Sequence, residues 1–271
     1  MRADFARAAA TYDAAAVLAQ EVGRRMAERL DYVRISPSRL ADIGCATGDG
    51  VRGLSRRYPD ALPIAVDFAL PMLHAAKRKA GFLGRLTGKG ARALSADVNQ
   101  LPLKSGSLGL VWSNLMLHWL DDPQPAFAEL HRVLETGGLL TFAMLGPDTL
   151  KGIRQACLDC GLAPPLRQFA DMHDIGDLLV ATGFADPVMD MEMITLTYRS
   201  PRGLLRDQRH LGVSNALLGR QPWQDWRRVF KRWSAPGDSL QASFEVVYGH
   251  AWKTEPRKAA DGRDIIRFAP R

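Results

Sequence analysis

Residues 39–50 read RLADIGCATGDG, an apolar run closed by an acid and followed by three glycines in seven residues. A strand that ends in such a turn lets backbone approach a bound ligand where side chains would block it. Two patterns compete for the stretch. Gly48, Gly50 and Gly53 spell a literal GxGxxG, the dinucleotide fingerprint. That fingerprint needs its first glycine directly after the strand, its second against a pyrophosphate and its third packing helix on strand. Counted from Gly44, those positions hold Gly44, Ala46 and Asp49. The literal match therefore begins four residues late, and its last two glycines fall inside the helix expected over 49–57. Position rules the dinucleotide reading out.

Working outward, apolar runs alternate with helical patterns. PIAVDF (63–68), ARALSAD (91–97), LGLVWSN (108–114) and GGLLTFAML (137–145) read as strands. Between them lie the helical stretches 70–81, starting at Pro71 and stopping at Gly81, and AFAELHRVL (126–134). Strands apolar on both faces and joined by helices imply a parallel sheet covered on both sides. Right-handed crossovers bring their carboxyl ends to one edge, where ligands bind. Asp42, Asp67, Asp97 and Asn114 all fall near that edge.

Flanking the strands, residues 4–30 read as one amphipathic helix, with Phe5, Ala8, Tyr12, Ala15, Leu18 and Val22 at helical spacing. After Pro147 come two helices, an alternating strand MEMITLTY (191–198), helices with a basic face over 201–235, and a last strand FEVVYGHAW (244–252). The expected architecture is α/β: a doubly wound, mostly parallel, seven-stranded Rossmann-like sheet, with an N-terminal helix and a helical cap inserted near the C-terminus. The expected organisation is a lid helix at 1–35, one domain over 36–252 with the cap at about 199–235, and a polar tail at 253–271.

Composition bounds the rest. With 46% hydrophobic and 24% charged residues among 271, the chain can bury a full core. No apolar run reaches the ~20 residues of a membrane span. Asp4, Asp13, Glu21 and Glu28 in the N-terminal stretch argue against a targeting peptide. Cys45, Cys157 and Cys160 form no disulfide framework and fit a reducing cytoplasm. The lone CxxC at 157–160 reads as thiols on a helix surface, and no metal is expected. The net charge of +7 attracts polyanions, and Arg199, Arg202, Arg206, Arg209, Arg220, Arg227 and Arg228 concentrate it on the cap.

The alternative pattern for the opening stretch is acid-x-Gly-x-Gly-x-Gly, here Asp42-Ile43-Gly44-Cys45-Ala46-Thr47-Gly48, with Ala46 as its one departure. This is the turn of S-adenosylmethionine (SAM) methyltransferases, where glycines admit the amino-acid moiety and ribose. Asp67, 25 positions after Asp42, stands where an acid accepts both ribose hydroxyls. Asp97 accepts the adenine amino group beside the Val98 backbone, and Phe68 and Met72 sandwich the ring.

DIGCATG, AVDFALPML, SADVNQLPL, WSNLMLHW and RVLETGGLLTFAML together resemble class I SAM-dependent methyltransferases over residues 36–146. ARAAATYDAAAVLAQEV, MLGPDTL, FADMHDIGDLLVATGFADPVMD and LTYRSPRGLLRDQRHLGVSNALLGR extend the likeness. Through these the chain resembles, to about residue 252, the biotin-pathway O-methyltransferases of malonyl-acyl-carrier protein. The resemblance implies SAM as cofactor, an acidic carrier protein bearing a malonyl group as partner, and a methyl ester as product. A malonyl carboxylate is ionised at neutral pH and needs no general base. Near the acceptor the expected residues are Tyr12 as a lid over the sulfonium, Asn114 on cofactor or substrate, and His118 as base or orienting group. Trp119 is read as core. Arg206 and Arg209 offer the guanidinium fork a carboxylate wants. A soluble monomer, without nucleic acid or membrane partners, is expected. The mitochondrial-type complex I assembly factors resemble the same pattern, so a related methyltransferase or assembly factor stays open. So does a catalytically silent protein of this fold, favoured by Ala46 alone.

Overall fold

The structure is a computed structural model and describes residues 2–79, 90–213, 216–233 and 240–255. Seven strands form one sheet: β1 (Arg39–Ile43), β2 (Leu62–Asp67), β3 (Arg92–Ser95), β4 (Leu108–Asn114), β5 (Leu134–Leu145), β6 (Ala185–Tyr198) and β7 (Leu240–Trp252). Their order is β3-β2-β1-β4-β5-β7-β6. All neighbouring pairs are parallel except those involving β7, which runs antiparallel to β5 and β6. The mostly parallel doubly wound sheet expected from the sequence is the one observed.

The strand order turns between β1 and β4, so their carboxyl ends diverge and open a crevice there. Side-chain alternation sorts the core into two layers. Leu40, Leu110 and Trp112 pack on one face with Val22 and Met26 of helix α3 (Val17–Arg29). Ala41, Ile43 and Val111 pack on the other with Phe127 and Leu130 of α6 (Gln124–Val133). Phe127 is fully buried, and burying such a side chain stabilises the fold by roughly 1.5–3 kcal/mol.

The remaining helices are α1 (Arg2–Ala8), α2 (Tyr12–Ala15), α4 (Asp49–Arg57), α5 (Leu70–Lys79), α7 (Lys151–Asp159), α8 (Met172–Ala181), α9 (Pro201–His210) and α10 (Trp223–Trp233). Gly50 and Gly53 do lie inside α4. A Cβ on Gly50 would meet Asp42 Oδ2 at 2.6 Å, so that glycine serves helix–strand packing.

Three of the sequence readings change. The single helix expected over 4–30 is broken into α1, α2 and α3. The Thr11 hydroxyl reaches both the Ala8 and His210 carbonyls, at 3.3 and 3.4 Å, and such side-chain bonds compete with the helical ladder. The break lets Phe5 and Tyr12 both face the crevice. Cys157, expected on a helix surface, is wholly buried in the core. The strands read as 191–198 and 244–252 are longer, beginning at Ala185 and Leu240. The helix end expected at Gly81 and most of the 253–271 tail lie outside the described residues.

Candidate active site

The turn after β1 is built on left-handed backbone: φ is +76° at Gly44, +44° at Ala46 and +85° at Gly48. A Cβ on Gly44 would come within 2.4 Å of Met116 Cγ, so only hydrogen fits there. At Ala46 an alanine holds a conformation that costs L-residues roughly 1–2 kcal/mol. Its backbone N–H is fixed by Asp67 Oδ2 at 2.9 Å, and the Ala69 N–H donates to Oδ1 at 2.8 Å. Asp67 thus ties the turn after β1 to the turn after β2. Burial raises its pKa, and these two hydrogen bonds oppose the shift.

Beside this turn opens a cavity of about 240 Å³. One half is walled by Gly44, Ala46, Asp67, Phe68, Met72, Asp97 and Val98. Asp97 is exposed at its mouth, where Oδ1 accepts the Asn99 N–H at 2.9 Å. The other half is lined by Leu145, Leu196, Tyr198 and Phe244 of β5, β6 and β7 and by Gln208, Val213 and Leu217 from the helical segment between β6 and β7. Tyr12, Asn114, His118 and Trp119 stand between the two halves' walls in the same lining. Ten of the residues expected at the site therefore meet in one chamber, and Trp119, expected in the core, is half-buried and lines it with them.

Asn114 donates Nδ2–H to the Ala19 carbonyl at 2.7 Å, while its buried Oδ1 has no partner. His118 Nδ1 accepts the Leu145 N–H at 3.3 Å, which puts the ring proton on Nε2. Burial, with a smaller push from Arg167, lowers its pKa to about 3. It is a neutral donor at physiological pH and a weak base, so the geometry favours orientation over proton abstraction. The Tyr12 phenol is held protonated well above its ordinary range by burial and by the nearby Asp67.

The N-terminal segment is latched to the glycine turn. Asp13 accepts the Thr47 hydroxyl at 2.6 Å, and Lys79 Nζ reaches Thr47 Oγ1 at 2.8 Å and Asp13 at 2.5 Å. Phe5 adds an aromatic edge to Phe68 and Trp119, with centroids 5.9 and 6.4 Å apart. The sequence reading had given Phe5 only a place on the helix face. With the helix broken between Phe5 and Tyr12, their spacing of seven carries no signal that both face one way.

Four residues singled out earlier stand outside the chamber wall. Asp42 is buried, accepts the Val51 N–H, and is pushed up to about pKa 7 by desolvation; it anchors α4 to β1. Gly48 faces Ala76, whose Cβ an added methyl would meet at 2.8 Å. Arg206 and Arg209 are exposed and line a separate outer groove with Arg199, Arg202, Asp207 and Trp223. Tyr198 borders both spaces. A helix turns ~100° per residue, so Gln208, two residues from Arg206, points to the opposite side of α9 and into the chamber.

Residues 41–142 match the family model described as a methyltransferase domain. Across the whole chain the sequence is 50% identical to the malonyl-[acyl-carrier protein] O-methyltransferase of Laribacter hongkongensis, covering 95% of that protein. It is 48% identical over 98% of the chain to the protein of the same name from Gallionella capsiferriformans, covering 94% of it. Among solved structures, the YcgJ protein of Bacillus subtilis superposes with a TM-score of 0.62 at 14% identity, over 87% of this chain and 99% of that one. That last likeness concerns the fold.

Proposed function

The chain belongs to the family of malonyl-[acyl-carrier protein] O-methyltransferases, and from that premise we propose that it methylates the free carboxylate of a malonyl group borne by an acyl-carrier protein. The product is a methyl ester that serves biotin synthesis. The observation that carries this reading is the single chamber joining the glycine turn to the apolar inner face of the cap. A methyl donor on the first side and an acyl group entering along the second share one enclosed space.

The residues present fit S-adenosylmethionine. Gly44 and Ala46 bring backbone to the chamber wall, Asp67 offers a carboxylate at the end of β2, and the orphaned Asn114 Oδ1 calls for a donor such as an ammonium group. Asp97 with Val98, and Phe68 with Met72, would hold the adenine. When bound, the cofactor would supply a sulfonium-activated methyl group that a carboxylate oxygen can attack in line, forming the ester as S-adenosylhomocysteine leaves. The chain's own work is alignment and exclusion of water. Tyr12 and Phe5 close the lid side, and the neutral His118 offers one N–H donor from the chamber wall. No proton need be removed from a carboxylate, which agrees with a histidine too weakly basic to take one.

The exposed arginines of α9 supply the charge that an acidic carrier protein would dock against. The protein is proposed to act as a cytoplasmic monomer. Among the described residues, no helix is long and apolar enough to cross a membrane. The test is incubation with SAM and malonyl-carrier protein, followed by intact mass. A gain of one methyl on malonyl-carrier and none on acetyl-carrier supports the proposal; equal masses before and after refute it.

A further inference from the structure

The sequence offered Arg206 or Arg209 as the grip on the acceptor carboxylate, yet both point away from the chamber. What α9 turns inward is Leu204, fully buried, and Gln208, 3% exposed. The inward stripe runs 204, 208, 211, so a carboxamide occupies a position the helical pattern reserves for hydrocarbon. Its neighbours in the lining are Leu196, Leu211, Val213, Leu217 and Phe244. Gln208 Oε1 is buried without a hydrogen-bond partner.

A buried carboxamide with an unmet oxygen costs the fold free energy that Leu at the same position would not. Such a cost persists where the group is needed by a ligand. Two other polar groups of the lining near the cap are partly committed, His118 keeping its Nε2–H as a second donor. The Tyr198 hydroxyl lies beside the Asp207 carboxylate, and His118 Nδ1 takes the Leu145 amide. The groups specific to the adenosyl moiety, Asp67 and Asp97, belong to the β2 and β3 edge of the sheet, whereas Gln208 belongs to the cap beyond β6 and β7. The ligand group left for it is therefore on the acceptor.

We propose that Gln208 binds the free carboxylate of the acyl acceptor and so discriminates the substrate from its methyl ester. A half-turn of the amide exchanges Oε1 for Nε2 and presents an N–H donor to one carboxylate oxygen. A neutral donor suits this task better than a guanidinium. Burying an unpaired arginine in a hydrocarbon chamber is costly. A bidentate ion pair would also occupy both carboxylate oxygens, one of which must attack. One N–H holds one oxygen and leaves the other free. The methyl ester keeps a carbonyl but loses the charge, so its hydrogen bond to the same N–H is the weaker one.

This inference rests on the methyl-transfer reading above. Its test is competition binding of malonyl-carrier protein and of its methyl ester, with S-adenosylhomocysteine present, to wild type, Gln208→Leu and Gln208→Glu. Wild type is expected to prefer the free acid. Gln208→Leu is expected to lose about ten- to hundredfold of that preference, the worth of one hydrogen bond to a charged group. Gln208→Glu, with a like charge facing the carboxylate, is expected to favour the ester. S-adenosylhomocysteine affinity stays unchanged in both, and the Tm of Gln208→Leu is unchanged or raised. A purely structural Gln208 would lower Tm and weaken acid and ester alike, which overturns the inference, as does a Gln208→Leu variant that keeps the wild-type preference. If wild type itself leaves malonyl-carrier unmethylated, the functional reading falls and this inference with it.

Discussion

Asp67 has two tasks, and replacing it separates them. Its oxygens accept the Ala46 and Ala69 amides at 2.9 and 2.8 Å, and its side chain also faces the chamber. In Asp67→Ala both amides lose their acceptor. Ala69 is 1% exposed, so its N–H finds no water, whereas Ala46 is half-buried in the chamber wall. Counting the Ala69 amide fully and the Ala46 amide partly gives a loss of about 2–4 kcal/mol. In a protein of this size that lowers Tm by roughly 4–12 °C. Asp67→Asn keeps an acceptor for Ala69 and is expected to lose about half as much. On the proposed ribose assignment both variants lose the charged acceptor for two hydroxyls, so the SAM dissociation constant is expected to rise at least ~100-fold. Isothermal titration with S-adenosylhomocysteine, alongside thermal unfolding, reads both quantities. Affinity within about threefold of wild type in Asp67→Asn would remove the ribose assignment. An unchanged Tm in Asp67→Ala would refute the structural half.

Further expectations concern the turn, the cap and the core. Ala46→Gly relieves the positive φ but gives back about 0.5–1 kcal/mol to the unfolded chain, so Tm should stay within ~2 °C while SAM affinity holds or tightens. Weaker SAM binding in that variant would mean that the Ala46 methyl packs on the cofactor. Arg206→Glu with Arg209→Glu should cost about tenfold or more in kcat/KM for malonyl-carrier protein at low salt and nothing for a small malonyl thioester. Equal losses on both acceptors would count against docking at the arginine groove. Burial raises the folded-state pKa of Asp42 to about 7, whereas the unfolded carboxyl ionises near 4. The folded state then holds the extra proton between those values, and stability from this residue falls as pH rises from about 4 through 7. Asp42→Asn keeps the acceptor for Val51 and should gain on wild type across that window, with the difference level above it. Urea midpoints at pH 5 and 8 decide, and a constant difference would refute the shift.

Much of this was legible in the residues. β2 and β4 are nearly continuous apolar runs stopped by Asp67 and Asn114, because a parallel sheet buries both faces. That same regularity set Asp67, Asp97 and Asn114 at one edge. What the sequence hid depends on contacts between distant segments. Thr11 breaks the N-terminal helix by reaching His210, 199 positions away. Asp42 closes β1 as a ligand-binding acid would, but pleating turns it under α4. The arginines of α9 drew attention by charge, while Gln208, their inward neighbour, carried a quieter signal. Polar at an apolar position of the 204, 208, 211 stripe, it could have been found by asking which residue broke the pattern. Ala46 reads as a flaw in the motif, and its positive φ explains why glycine is wanted there.

The central claim is that one chamber brings a methyl donor to an acyl carboxylate. The most direct measurement is transfer of a labelled methyl from SAM to malonyl-carrier protein, with mild alkaline hydrolysis of the product to locate the label. The account expects one label per carrier, released as methanol by ester hydrolysis, and none on acetyl-carrier. Label that resists hydrolysis, or that appears equally on acetyl-carrier, would contradict it.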